Sequence, residues 1–157
     1  MASTVALVAA RVRQRGAVCR AAEQFDRSPV FRRARDYCLR AFPEWYILST
    51  RHGLLTPQQV IGPGEERPLL ALTAEERLGC ARAIATALDE RLRRTTEPVT
   101  FVLFASQAYA DLLKRAAPHQ RFELPLSGLT LGQRLRWYDE RLETHSRLLL
   151  STSARSV

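Results

Sequence analysis

The chain has 157 residues, 46% of them hydrophobic and 25% charged, which suits one globular domain with a real apolar core. Its formal net charge of +8 and its pI near 10.4 favour acidic or phosphorylated partners. Three scattered cysteines exclude a disulfide scaffold, and no apolar run reaches the ~20 residues that a membrane helix needs.

Cys19, Cys38 and Cys80 are odd in number and show no Cys-x-x-Cys spacing, so a reducing, cytoplasmic setting is expected. Lys114 is the single lysine; every other basic side chain is arginine, spread along the chain rather than gathered in a block. That charge reads either as a solvated basic surface or as one that seeks phosphate.

In chain order, Thr4 to Ala9 is continuously apolar and β-branched, which predicts a buried strand. Residues 10 to 27 read as a basic loop with at most one helical turn. Ser28-Pro29 then opens a helix, serine capping the free amides and proline giving up none. Pro43 ends it, and Glu44 to Ser49 predicts a second strand. Thr50 to Leu72 carries three prolines and three glycines and reads as a long, functional or mobile loop. Thr73 and Glu76 form a capping box ahead of a helix with Ala74, Leu78, Ala81, Ala85, Leu88 and Leu92 on its apolar face. Pro98 to Phe104 predicts a third strand, Ser106 a helix to about Ala117, and Arg121 to Leu124 a short fourth strand. Thr130 to Gln133 is another capping box, opening a last helix to about His145; Ser151 to Val157 reads as a disordered tail.

This alternation predicts a single α/β domain over residues 1–150, three-layered, with a mostly parallel sheet of about four strands and helices on both faces. Ligands of such folds sit beyond the carboxyl ends of the strands. Here those ends are Ala10-Arg11, Ser49 to His52 and Ala105 to Gln107.

Ser49-Thr50-Arg51-His52-Gly53 therefore holds the strongest candidates. A guanidinium clamps phosphate bidentately, and an imidazole moves protons near neutral pH. The plainer alternative is a turn in which His52 makes a structural hydrogen bond. Ser106 offers a hydroxyl and free amides to an anion, or simply caps its helix; Tyr109, one turn on, faces the same crevice or simply packs, and Gln107 is a further substrate-binding candidate. No phosphate loop, dinucleotide fingerprint or nucleophile elbow is present. His52, His119 and His145 stand too far apart for a metal site, so neither metal nor cofactor is expected. Trp45 and Trp137 are expected to pack in or near the core.

Ser28-Pro29-Val30-Phe31, the run Trp45-Tyr46-Ile47-Leu48-Ser49-Thr50-Arg51-His52-Gly53-Leu54-Leu55-Thr56-Pro57, and Pro125-Leu126-Ser127-Gly128-Leu129 resemble the bacterial and phage family of unknown function DUF6884, over residues 4–138. A fainter likeness links the chain to the YaaA peroxide-stress family and to the core of archaeosine synthases, which implies a nucleic-acid or modified-base setting. The chain departs from the family pattern twice. Val8-Ala9-Ala10-Arg11-Val12-Arg13 replaces a Cys-Gly-x-x-Lys-like turn, and Pro63-Gly64-Glu65 replaces Pro-Tyr-Asp. Arg11 or Arg13 supplies a lysine's charge there but not a lysine nucleophile.

The leading expectation is an enzyme acting on a nucleobase, nucleoside or nucleotide, at the glycosidic bond. Arg51 and Arg11 would bind phosphate, and His52 would act as general acid or base. Ser49 would join it at the reacting centre, with Ser106, Gln107 and Tyr109 on the substrate. The alternatives are a nucleic-acid-binding module using Arg32, Arg33, Arg35 and Arg40, and an accessory protein of a nucleoside-type pathway.

Overall fold

In the computed structural model, which describes residues 3–155, the apolar segments assemble into one five-stranded sheet. The strands are β1 (Ser3–Ala9), β3 (Trp45–Ser49), β4 (Gly53–Leu55), β6 (Val99–Phe104) and β7 (Arg121–Glu123), in the order β4-β3-β1-β6-β7. β1 pairs in parallel with β3, Ala6 opposite Trp45, and with β6, Thr4 opposite Thr100; β7 runs parallel to β6. β4 folds back antiparallel on β3. A separate two-stranded ladder joins β2 (Cys19–Arg20) to β5 (Val60–Ile61).

Side chains alternate across β1, so each face takes its own helices. Val5, Leu7 and Ala9 point to one side, with Phe101 and Leu103 of β6, under α3 (Ala74–Leu92) and α4 (Gln107–Ala116). Ala6 and Val8 point to the other, with Ile47 and Phe104. They lie under α1 (Ala21–Gln24), α2 (Pro29–Ala41) and α5 (Leu131–Arg155). The three-layer α/β architecture is thus the one that the alternation predicts. Trp45 is buried in the second core, and Trp137 packs edge-on against Tyr37 at a centroid distance of 5.0 Å.

Every predicted cap forms. Ser28 Oγ accepts from the Phe31 amide and Ser106 Oγ from the Tyr109 amide, each at 3.3 Å. Thr73 with Glu76, and Thr130 with Gln133, close reciprocal capping boxes.

The mostly parallel sheet, expected with about four strands, has five, because Gly53 adopts φ 76° and turns the chain straight back as β4. Two expectations need correction. The segments 10–27 and 50–72 are not plain loops. The first carries the expected helical turn as α1 and also β2, the second β4, β5 and a 3-10 turn at Leu69–Ala71, and β2 and β5 exist because they pair with each other across the sequence. Finally, α5 runs past His145 to Arg155, through most of the segment read as a tail; Ser156 and Val157 lie outside the described residues. Among the described residues, no helix is long and apolar enough to cross a membrane.

Phe101 is fully buried at the centre of the first core. Phe101→Ala should lower the unfolding free energy by about 3–5 kcal/mol, read as a shift of the urea midpoint. A loss well under about 1 kcal/mol would show that this core is not close-packed.

Candidate functional site

β1 leads to β3 on one flank, and the chain then crosses to β6 on the other flank of β1. Loops after β1 and β6 therefore diverge and leave a crevice, the place where open parallel sheets hold ligands. A cavity of about 300 Å³ fills that crevice. Arg11 from the β1 loop, Ser106 and Tyr109 from the start of α4, Arg134 from α5, and Glu66 and Arg67 from the loop after β5 face it.

Arg11 is half-buried, and its Nε is buried without a hydrogen-bond partner. Burial pulls its guanidinium below its ordinary range; Tyr138 opposes that, and the positive charge of Arg134 adds to it. It stays charged at neutral pH nonetheless. Arg134 donates through Nε to the Leu129 carbonyl at 3.2 Å. Among the described residues neither arginine pairs with an acid. Two like charges therefore face one cavity without an ion pair of their own, and the one acid on the wall, Glu66, is held by donors of the β3–β4 turn, an arrangement that an anion would relieve. Arg67 differs, since it is ion-paired with Glu76 and Glu65.

A polar knot runs inward from the cavity wall at Glu66. Glu66 is 6% exposed, and its carboxylate gathers three donors. Ser49 Oγ donates to it at 2.8 Å, the Thr50 amide at 2.8 Å and the Arg51 amide at 3.3 Å. Ser49 Oγ in turn accepts from the His52 amide at 3.0 Å. Thr50 Oγ1 donates to the Arg67 carbonyl at 2.8 Å and accepts from the Arg67 amide at 3.2 Å. A buried carboxylate is tolerable only when hydrogen-bonded in this way, and the bonds bind the β3–β4 turn to the loop that follows β5.

The structure divides the residues singled out from the sequence. Arg11, Ser106 and Tyr109 meet in the cavity. Ser49 has no exposed surface; its hydroxyl holds the turn and is absent from the cavity wall. Arg51 and His52 sit exposed on the outer side of that turn, off the cavity wall. Arg51 reaches the Gly62 carbonyl at 3.3 Å and lies across Gly64, where a side chain would collide with its guanidinium. Gln107 faces Asp111 and Ser127 instead of the cavity. On the basic face of α2, Arg33 pairs with Asp139 and Arg35 with Asp26 and Asp36, while Arg32 and Arg40 have no ion pair among the described residues. Glu66 and Arg134 escaped the sequence reading. Neither belongs to a motif, and an arginine inside a helix reads as surface.

Burial raises the Tyr109 phenol well above its usual range, so it stays protonated as a donor. Burial lowers His52 below its ordinary value of 6.5, with Arg51 adding to that and Glu66 opposing it. His52 should be neutral at pH 7, and its NMR titration midpoint should fall below 6.5. Because the unfolded chain takes up this proton first, the group's stability contribution is lost as pH falls below 6.5. A midpoint above that value would contradict the direction of this shift. Glu66→Gln puts an amide where three donors converge, and should destabilise the fold by about 2 kcal/mol in urea unfolding. An unchanged midpoint would show that the knot holds nothing.

Neither the curated proteins nor the solved structures contain a match to this chain. The model of one family, described as "Family of unknown function (DUF6884)", matches residues 5–140, a stretch that runs from β1 into α5 and takes in the cavity and the knot at its wall. The chain belongs to that family.

Proposed function

We propose that the protein is an enzyme acting on a nucleotide or nucleoside at its glycosidic bond, with the phosphate held in the switch-point cavity. The observation that carries this reading is the pair of acid-free arginines, Arg11 and Arg134, facing one cavity, the first with a buried and unpartnered Nε. Planar guanidiniums suit a phosphate because they donate in a fixed fork. The free amides at the start of α4, behind Ser106, add to the same potential.

Glu66 is the acid on the cavity wall. Cleavage of a glycosidic bond builds positive charge on the sugar, which a neighbouring carboxylate stabilises. Its Oε1 accepts the Thr50 amide and retains acceptor capacity. Tyr109, protonated and on the same wall, is positioned as a hydrogen-bond donor to the departing base. In this reading Ser49 positions Glu66, and His52 is not assigned the proton transfer because it stands off the wall.

The test is chromatography of nucleoside monophosphates and free nucleosides incubated with the purified protein, beside Arg11→Ala and His52→Ala. Release of a free base by the parent is expected. Arg11→Ala should lose about 10- to 100-fold in kcat/KM on the phosphorylated substrate, and His52→Ala should stay within a few-fold. No base released and no nucleotide bound, or an Arg11→Ala protein equal to the parent, would sink the reading.

A further inference from the structure

A second cleft, of about 440 Å³, opens between α3 and α4. It shares Leu69 with the switch-point cavity, so the two are neighbours across the 3-10 turn Leu69–Ala71. Leu69, Leu78 and Leu112 give it aliphatic walls, and Arg77 and Arg115 bring it two positive charges. Neither arginine has an acidic partner among the described residues. Asp111, the acid of this cleft, already accepts from Gln107 at 2.9 Å. Two large apolar side chains also face water here without folding into the core. Leu70, on the cavity side, is 73% exposed; Leu78, on the apolar face predicted for α3, is 44% exposed.

One surface therefore presents an arginine pair, an aliphatic stretch, and a second arginine pair. A single nucleotide would use only the first part. A polynucleotide strand carries anions at regular intervals with flat, weakly polar bases between them, and single strands leave those bases free to lie on a protein surface.

We infer that the ligand is single-stranded nucleic acid. One nucleotide occupies the switch-point cavity, and its neighbour lies over Leu70 into the α3–α4 cleft, its phosphate meeting Arg77 and Arg115. The inference rests on the nucleotide reading of the cavity and extends it to a substrate class. The net charge of +8 is consistent with a polyanionic ligand, and on α2 Arg33 and Arg35 are taken up by ion pairs while Arg77 and Arg115 are not.

Fluorescence anisotropy on the full chain with a short labelled thymidine oligonucleotide tests this, with thymidine monophosphate titrated in parallel and the labelled duplex as control. The decisive variant is the double substitution Arg77→Ala with Arg115→Ala, both on helix surfaces, its fold checked by circular dichroism. The oligonucleotide should bind the parent more tightly than the mononucleotide and more tightly than duplex. The double variant should bind it about 10-fold more weakly, with a salt slope flatter by about 1, and should hold the mononucleotide as the parent does. Oligonucleotide binding unchanged in the double variant, with mononucleotide binding intact, overturns this inference and leaves the nucleotide reading standing. A preference for duplex overturns it in the same way. Failure of the parent to bind either ligand overturns both.

Discussion

One buried carboxylate organises the working end of this protein. Glu66 is almost shut off from water, yet it receives a hydroxyl and two backbone amides from the turn that follows β3. Those donors offset the desolvation of the charge, and only one local arrangement supplies all of them. The position of Glu66 therefore decides the path of the β3–β4 turn and of the chain that returns past Arg67. Thr50 bonds both backbone groups of Arg67, and Gln14 bonds the amide and carbonyl of Gly64. The loop after β5 is thereby tied to the turn after β3 and to the chain after β1. Three segments distant in sequence become one wall of a cavity.

The sheet decides where that wall stands. With β3 and β6 on opposite flanks of β1, the segments leaving β1 and β6 separate, and the space between them cannot be filled by either crossover. Residues at the two exits, Arg11 and Ser106, face each other by topology alone. Arg134 joins them because α5 packs on α2, with Arg33 paired to Asp139 at 2.7 Å and Tyr138 buried in the second core.

Charge is distributed unevenly over this scaffold. Most arginines with a structural part have an acid beside them: Arg15 and Arg35 share Asp26, Arg91 holds Glu44, and Arg67 holds Glu76. Arg35–Asp26 and Arg91–Glu44 are partly buried, whereas Arg67–Glu76 is more exposed and adds little to stability. The acid-free arginines Arg11, Arg134, Arg77 and Arg115 line two adjoining clefts. These four lie where the sheet opens, whereas other arginines without an ion pair among the described residues, Arg40, Arg82 and Arg121 among them, are exposed elsewhere on the surface.

Local chemistry determined much of this by itself. Apolar runs of strand length, serine and threonine caps, and prolines at helix borders specify the main strands and helices, because each signal acts within a few residues. The same signals place Arg11, Ser106 and Tyr109 at the carboxyl ends of the strands, where the structure has them line one cavity, since those ends are predictable once the alternation is known. Family membership was legible too, in the run from Trp45 to Pro57. Other features were decided only by the tertiary structure. β2 and β5 are two residues each and form only by pairing with one another, so no periodicity announces them. Ser49, a reactive candidate in sequence, is fully buried and donates to Glu66, a partner seventeen positions away across a loop. Arg51 and His52 share the motif but fall on the outer side of the turn, whose direction is set by Gly53 and the Glu66 knot. Arg134, hidden in an amphipathic helix, reaches the cavity only through helix packing. Short-range hydrogen bonding and hydrophobic pattern are written in consecutive residues, whereas which side chains share a cavity depends on strand order and on where a few buried polar groups find their partners.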